Sequence, residues 1–211
     1  MDSLAFILKM VKELQLTHQN KLKEGSTMPV VNGLETEKLM QVVDTVKKNW
    51  EVGRTVWKAS TSWKGGFKVE TCSRDFKLLA DEPEMLCGTN MAANPVEMVL
   101  QAYGACLTIG YAMNAAVRNI KIDDIKIDLE GEIDLPGFLG LEAPEKLNMD
   151  KLPGFKNILA KVSIKSAVDE KTLQELHKHV LATSPVGMTL SRPVALRAQL
   201  EVSGNATAAA A

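Results

Sequence analysis

Twenty consecutive residues, Met98 to Val117, carry no charge. That is long enough to span a bilayer. Gln101, Tyr103, Thr108, Asn114 and a high share of Ala and Gly keep the stretch only modestly apolar, so it reads as a helix buried on all sides in a soluble core. Pro95 suits a first helical turn, Asn94 can cap it, and Glu97 suits the positive end of the helix dipole. The helix is expected to run to Val117 or Arg118. Any fold of this chain must cover this helix.

The flanking pattern supplies the cover. Apolar residues at Leu4, Ile7, Leu8, Val11 and Leu14 recur at helical spacing, with Asp2 or Ser3 as cap. Glu24 to Pro29 reads as a loop, and a second amphipathic helix capped by Thr36 uses Leu39, Val42, Val43 and Val46. From Thr55 the period changes to two. Trp57, Ala59, Thr61 and Trp63 predict a half-buried strand, Lys64-Gly65-Gly66 a turn, and Phe67, Val69 and Thr71 a return strand. Phe76, Leu78 and Ala80 complete a meander. Beyond the long helix, Ile125 to Ile133 alternates as a strand. Leu135 to Phe155 reads as a connection and Ile158 to Ile164 as a strand. Asp169 caps a helix through Leu173, Leu176 and Val180, ended by Ser184-Pro185. Val194 to Val202 predicts a last strand. Strands and helices do not alternate strictly, so an α+β fold is expected over a doubly wound sheet. The expected division is an N-terminal helical extension over 1–50, a main domain over 51–202 and a disordered tail over 203–211.

Composition narrows the function. Lys plus Arg is 25 and Asp plus Glu is 26, a net charge of −1, so nothing global attracts nucleic acid or anionic membrane. Met1 to Lys9 carries an acid and no basic n-region, so no secretory signal is expected. Three cysteines cannot close a disulfide framework and suit a reducing cytoplasm.

Cys106 stands in the middle of the buried helix, with Ala102, Tyr103, Ile109, Gly110 and Met113 on or beside its face. A nucleophilic thiolate needs a positive neighbour or a helix N-terminus, and Cys106 lies three turns in. On spacing alone it reads as a core cysteine. Cys87 lies in the loop Glu84 to Asn90 and Cys72 on a strand. Fifteen and nineteen residues separate the cysteines, so no zinc pattern exists. His177 and His179 point about 200° apart on a helix and cannot share a metal. No metal and no cofactor is expected.

Asp81-Glu-Pro83, then Asn94-Pro95, then Cys106 eleven residues after that Pro, then Arg118-Asn-Ile120 and Ser184-Pro185-Val186 make a specific combination. On these residues the stretch from Trp57 to Val202 resembles the OsmC/Ohr superfamily, the osmotically inducible proteins and organic hydroperoxide resistance proteins. Val31 to Glu35 and Gly131 to Leu141 look like a subgroup with an N-terminal helical segment.

The resemblance implies an intertwined homodimer in which an antiparallel sheet wraps around a central buried helix. It implies a thiolate at Cys106 that attacks the peroxide O–O bond and becomes a sulfenic acid. The superfamily's resolving cysteine falls at Ser184, which cannot form a disulfide. Its acidic site residue falls at Val96, beside Glu97, and its early arginine leaves Arg54 and Arg74 as candidates. The expected function is thiol-dependent reduction of organic hydroperoxides through Cys106, a peroxidase cycle resolved by Cys87 or by an external thiol reductant. Met85, Met91, Met98, Met113 and Met188 could line a pocket for an alkyl chain. The alternatives are a homodimer that binds a small apolar ligand without catalysis, or a thiol redox sensor.

Overall fold

The computed structural model of the protein describes residues 30–141 and 153–202. The helix expected over 3–16, the loop over 24–29, the tail over 203–211 and the middle of the 135–155 connection lie outside the described residues.

A tight antiparallel pair, β1 (Val30–Val31) and β2 (Leu34–Glu35), leads into helix α1 (Thr36–Lys48). Glu35, not Thr36, is the N-cap, and Thr36 is buried as the first helical residue. The turn between β1 and β2 is tied to the core by one side chain. The Asn32 amide donates to the Ile120 carbonyl at 2.9 Å and accepts from the Ile122 N–H at 2.9 Å.

Strands β3 (Ser60–Trp63), β4 (Val69–Ser73) and β5 (Phe76–Ala80) form the expected antiparallel meander in the order β3-β4-β5. The expected half-burial of its first strand is not met within one chain. Trp57 is 80% exposed, and Trp63, Phe76 and Leu78 are exposed as well.

Helix α2 (Pro95–Val117) is the long apolar helix. Its N-terminus is a capping box: Asn94 Oδ1 accepts from the Glu97 N–H at 2.8 Å, and Glu97 Oε2 accepts from the Asn94 N–H at 2.9 Å. No helix among the described residues is long and apolar enough to cross a membrane. One face of α2 is buried through Gly104, Leu107, Tyr111 and Asn114. The other face differs from the expectation of burial on all sides, since Gln101, Ala105 and Ile109 are exposed.

The buried face of α2 rests on the hairpin of β6 (Asp124–Ile133) and β7 (Phe155–Lys165). Both strands alternate inward and outward, as the sequence pattern requires. A one-turn helix, α3 (Leu135–Phe138), follows β6. Gly104 lets helix and hairpin approach closely: a Cβ there would stand 2.7 Å from Leu129 Cδ1. Helix α4 (Glu170–Thr183), capped by Asp169, crosses α2 and completes the core of Leu107, Tyr111, Ala115, Ile120, Leu176 and Val180.

A further helix, α5 (Pro185–Ser191), comes at once where the sequence predicted only a stop. Ser184 ends α4 and caps α5. The strand expected over 194–202 does not form in the single chain, and Leu196 is 91% exposed. A strand needs a hydrogen-bonded neighbour, and this segment pairs with none of the open edges of β3, β5, β6 and β7 in the single chain.

One buried carboxylate sets the loop between β5 and α2. Asp81 accepts from the N–H groups of Glu82, Thr89 and Met91 at 2.9, 3.0 and 3.2 Å, and from the Thr89 hydroxyl at 2.5 Å. Gly88 closes the loop, where any Cβ would fall 1.7 Å from the Glu82 carbonyl oxygen. The Thr89 hydroxyl is the largest cause that pulls the Asp81 carboxyl down to about 2; burial opposes it and the three N–H groups add to it. Because the folded value lies below the ordinary 3.8, this stabilisation is complete above that value and is lost as pH falls towards about 2. Thermal melts from neutral to acid pH should therefore lose stability over that window. Asp81→Asn should lower the neutral-pH melting temperature and flatten the acid dependence. An unchanged acid limb in the variant would contradict this role.

Candidate functional site

The thiol of Cys106 sits half-buried on α2 and faces the junction of α4 and α5. Its Sγ lies 3.3 Å from Ser184 Oγ. The junction owes its place to local sequence. Asp169 starts α4, and Ser184-Pro185 pairs an N-cap hydroxyl with a proline at the first position of α5. Ser184 Oγ accepts from the Gly187 N–H at 3.1 Å, and Ser184 is only 4% exposed. Tyr103, one turn before Cys106, walls the same spot: a Cβ on Gly187 would touch both Ser184 Oγ and Tyr103 Cε2 at 3.1 Å. Two residues 78 apart in sequence thus meet, and both are marked by the sequence pattern.

Glu97 is not brought to the thiol. Nine residues separate it from Cys106, which places the two about 180° apart around α2. Its carboxylate is committed to the capping box. It lines instead an open groove of about 620 Å³ between α2 and β6, with Leu100, Gln101, Gly104, Ala105, Ile127 and Leu129. Cys106 is not among the lining residues, so the groove and the thiol occupy different sides of the helix.

Cys87 is exposed on the Asp81-clamped loop, with a left-handed φ of 66° after the short 3-10 turn Glu84–Leu86. Cys72, Cys87 and Cys106 are all free thiols. Neither candidate arginine is turned towards Cys106 by its own contacts. Arg54 forms an exposed ion pair with Glu51 at 3.2 Å, and Arg74 lies 4.9 Å above the Phe76 ring.

Two features escaped the sequence reading. Tyr111, wholly buried on α2, shares a hydrogen bond with His177 Nδ1 of α4 and stacks on its ring. Burial, and behind it Tyr103, push the Tyr111 hydroxyl up to about 12, so it stays protonated and bolts α2 to α4. The Asp81 clamp was visible only as part of a motif. A buried acceptor with four donors leaves no trace in composition, because three of the donors are backbone. No group of His, Cys, Asp and Glu that could hold a metal occurs among the described residues.

This arrangement places a thiol against a sealed hydroxyl, on an apolar helix with one face uncovered. It can present a sulfur nucleophile or a small ligand-sized recess, and neither Glu97 nor the two candidate arginines are delivered to the sulfur.

A family model described as "OsmC-like protein" matches residues 88–199. That span includes Cys87's neighbour Gly88, Cys106 and Ser184. Among solved structures, an OsmC-like protein from Mycoplasma pneumoniae is similar at 17% identity and a TM-score of 0.54, over 65% of this chain and 88% of that one. A protein of Psychrobacter arcticus 273-4, named for osmotic stress induction and a detoxification response, is similar at 12% identity and a TM-score of 0.52, over 64% and 89%. A protein of Aquifex aeolicus VF5 is similar at 18% identity and a TM-score of 0.50, over 65% and 89%. No curated protein matches the chain. The likeness to these solved structures is one of fold. With more than half the chain inside the family model, the protein belongs to the OsmC-like family.

Proposed function

We propose that the protein is a thiol-dependent reductase of organic hydroperoxides that uses Cys106. The observation that carries this reading is the half-buried Cys106 thiol on the central helix of an OsmC-like domain, held 3.3 Å from Ser184. The Cys106 thiolate attacks one peroxide oxygen, and the O–O bond breaks. Sulfur keeps that oxygen as a sulfenic acid, and the alkoxide leaves and takes a proton as the alcohol. An external thiol then condenses with the sulfenic acid, releasing water and leaving a mixed disulfide. A second thiol group, on the same dithiol or on another thiol molecule, attacks the mixed disulfide, frees the Cys106 thiol and leaves joined to the first as a disulfide. Ser184 at the junction cannot replace the external thiol, because an oxygen forms no disulfide. Cys87, exposed on the loop that Asp81 clamps, is the internal alternative.

The active form in this reading is a homodimer. Trp63, Phe76, Leu78, Ile109 and Leu196 are exposed together with an unpaired 194–202 segment. Covering one such side chain contributes roughly 1.5–3 kcal/mol. A handful on each subunit offsets an association cost of roughly 4–15 kcal/mol. A second subunit is also where a cation for the thiolate would come from, since Arg54 and Arg74 are engaged elsewhere. The free thiols suit a reducing compartment, and the cytoplasm is the proposed location.

A second reading, binding of a small apolar ligand without turnover, is favoured by the open α2–β6 groove and by the placement of Glu97 on the side of α2 away from the thiol. Turnover separates the two. Cys106→Ser should abolish consumption of an alkyl hydroperoxide in the presence of a dithiol. Cys87→Ser should leave it intact if an external thiol resolves the sulfenic acid, and should stop it under an internal disulfide. Full activity in Cys106→Ser would end the reductase reading. Sedimentation equilibrium should give about twice the 23.0 kDa chain mass, and a monomer at all concentrations would contradict the dimer.

A further inference from the structure

We infer that Ser184 is a positioning residue for Cys106: its hydroxyl is placed to donate to the sulfur and is a better partner for the thiolate than for the thiol, so that the site runs on one cysteine. The inference rests on the reductase reading for its purpose but not for its geometry. A serine hydroxyl has one proton to donate and two lone pairs to accept with. One lone pair is taken by the Gly187 N–H at 3.1 Å, a bond whose direction is fixed because only the amide can donate. The hydroxyl proton is left, and Cys106 Sγ stands 3.3 Å away. With Ser184 only 4% exposed, and Tyr103 and Gly187 packed beside it, bulk water does not compete for that proton.

The protonated thiol can either give or take in this pair. The thiolate can only accept, so deprotonation turns the contact into a charge-assisted hydrogen bond. The bond from Gly187 polarises the hydroxyl in the same sense. The same oxygen also governs the fate of the oxidised sulfur. A sulfenic acid at Cys106 has a donor beside it rather than a second sulfur, so it is not consumed from within the junction and persists until an external thiol arrives.

The test is the pH profile of Cys106 alkylation by iodoacetamide in the full-length protein, tracked by peptide mass so that Cys72 and Cys87 are read separately. Alkylation reports the thiolate whether or not the protein reduces peroxides. Ser184→Ala should slow alkylation at neutral pH by about tenfold and move the profile to higher pH, with the same alkaline plateau. Ser184→Gly drops the hydroxyl at a position where glycine still tolerates the cap, and should do the same with little loss of melting temperature. Ser184→Thr keeps both cap and donor and should restore the wild-type profile. An unchanged profile in Ser184→Gly would overturn the inference. So would a Ser184→Thr protein that melts as wild type but alkylates as slowly as Ser184→Gly. If wild type fails to react with an alkyl hydroperoxide, the reductase reading falls while the alkylation profile still judges Ser184.

Discussion

A 23-residue helix whose only charge is Glu97, in its first turn, has to find cover on most of its circumference, and the rest of the molecule is shaped by how that is done. The β6–β7 hairpin takes one side, close enough that a Cβ on Gly104 would push the Leu129 side chain aside. Helix α4 takes another, fastened by the Tyr111–His177 bond across the apolar core. The α4–α5 junction closes on the Cys106 side. The remaining face, with Ala105 and Ile109 outward, stays open in one chain. It is the face that the proposed second subunit would cover.

The site inherits its character from this arrangement. A cysteine in mid-helix is far from the helix N-terminus and gains little from the dipole. Its electrostatics therefore depend on what the neighbouring elements deliver. Within the chain they deliver a hydroxyl, held in place because it is also the cap of α5. They do not deliver Glu97, which is spent on the helix it starts. Structural and chemical duties are thus divided between two caps. One faces away from the sulfur and one faces it.

Much of this was legible in the sequence. The limits of α2, its Asn94 cap, the meander and the alternation of β6 and β7 come from local periodicity and capping chemistry, which act over a few residues. Cys106 and Ser184 were both marked by the family pattern. Their meeting was not derivable from spacing, because it depends on how α4 crosses α2. The exposure of Trp57 and the missing last strand are errors of another kind. Period-two patterning shows that a segment is suited to lie half-buried in a sheet, not which chain supplies the neighbour. Helix α5 could have been read, since Ser184-Pro185 is a start signal as well as a stop. The Asp81 clamp could not, as its donors are mostly backbone.

The central proposal is that Cys106 is the reacting thiol of a peroxide-reducing site. It is tested most directly by mixing the reduced protein with a small excess of an alkyl hydroperoxide and a sulfenic-acid trap, then recording the intact mass over time. The account predicts fast single-oxygen chemistry trapped at Cys106, far ahead of Cys72 and Cys87. Modification no faster than that of an exposed model thiol, or spread evenly over the three cysteines, would contradict it.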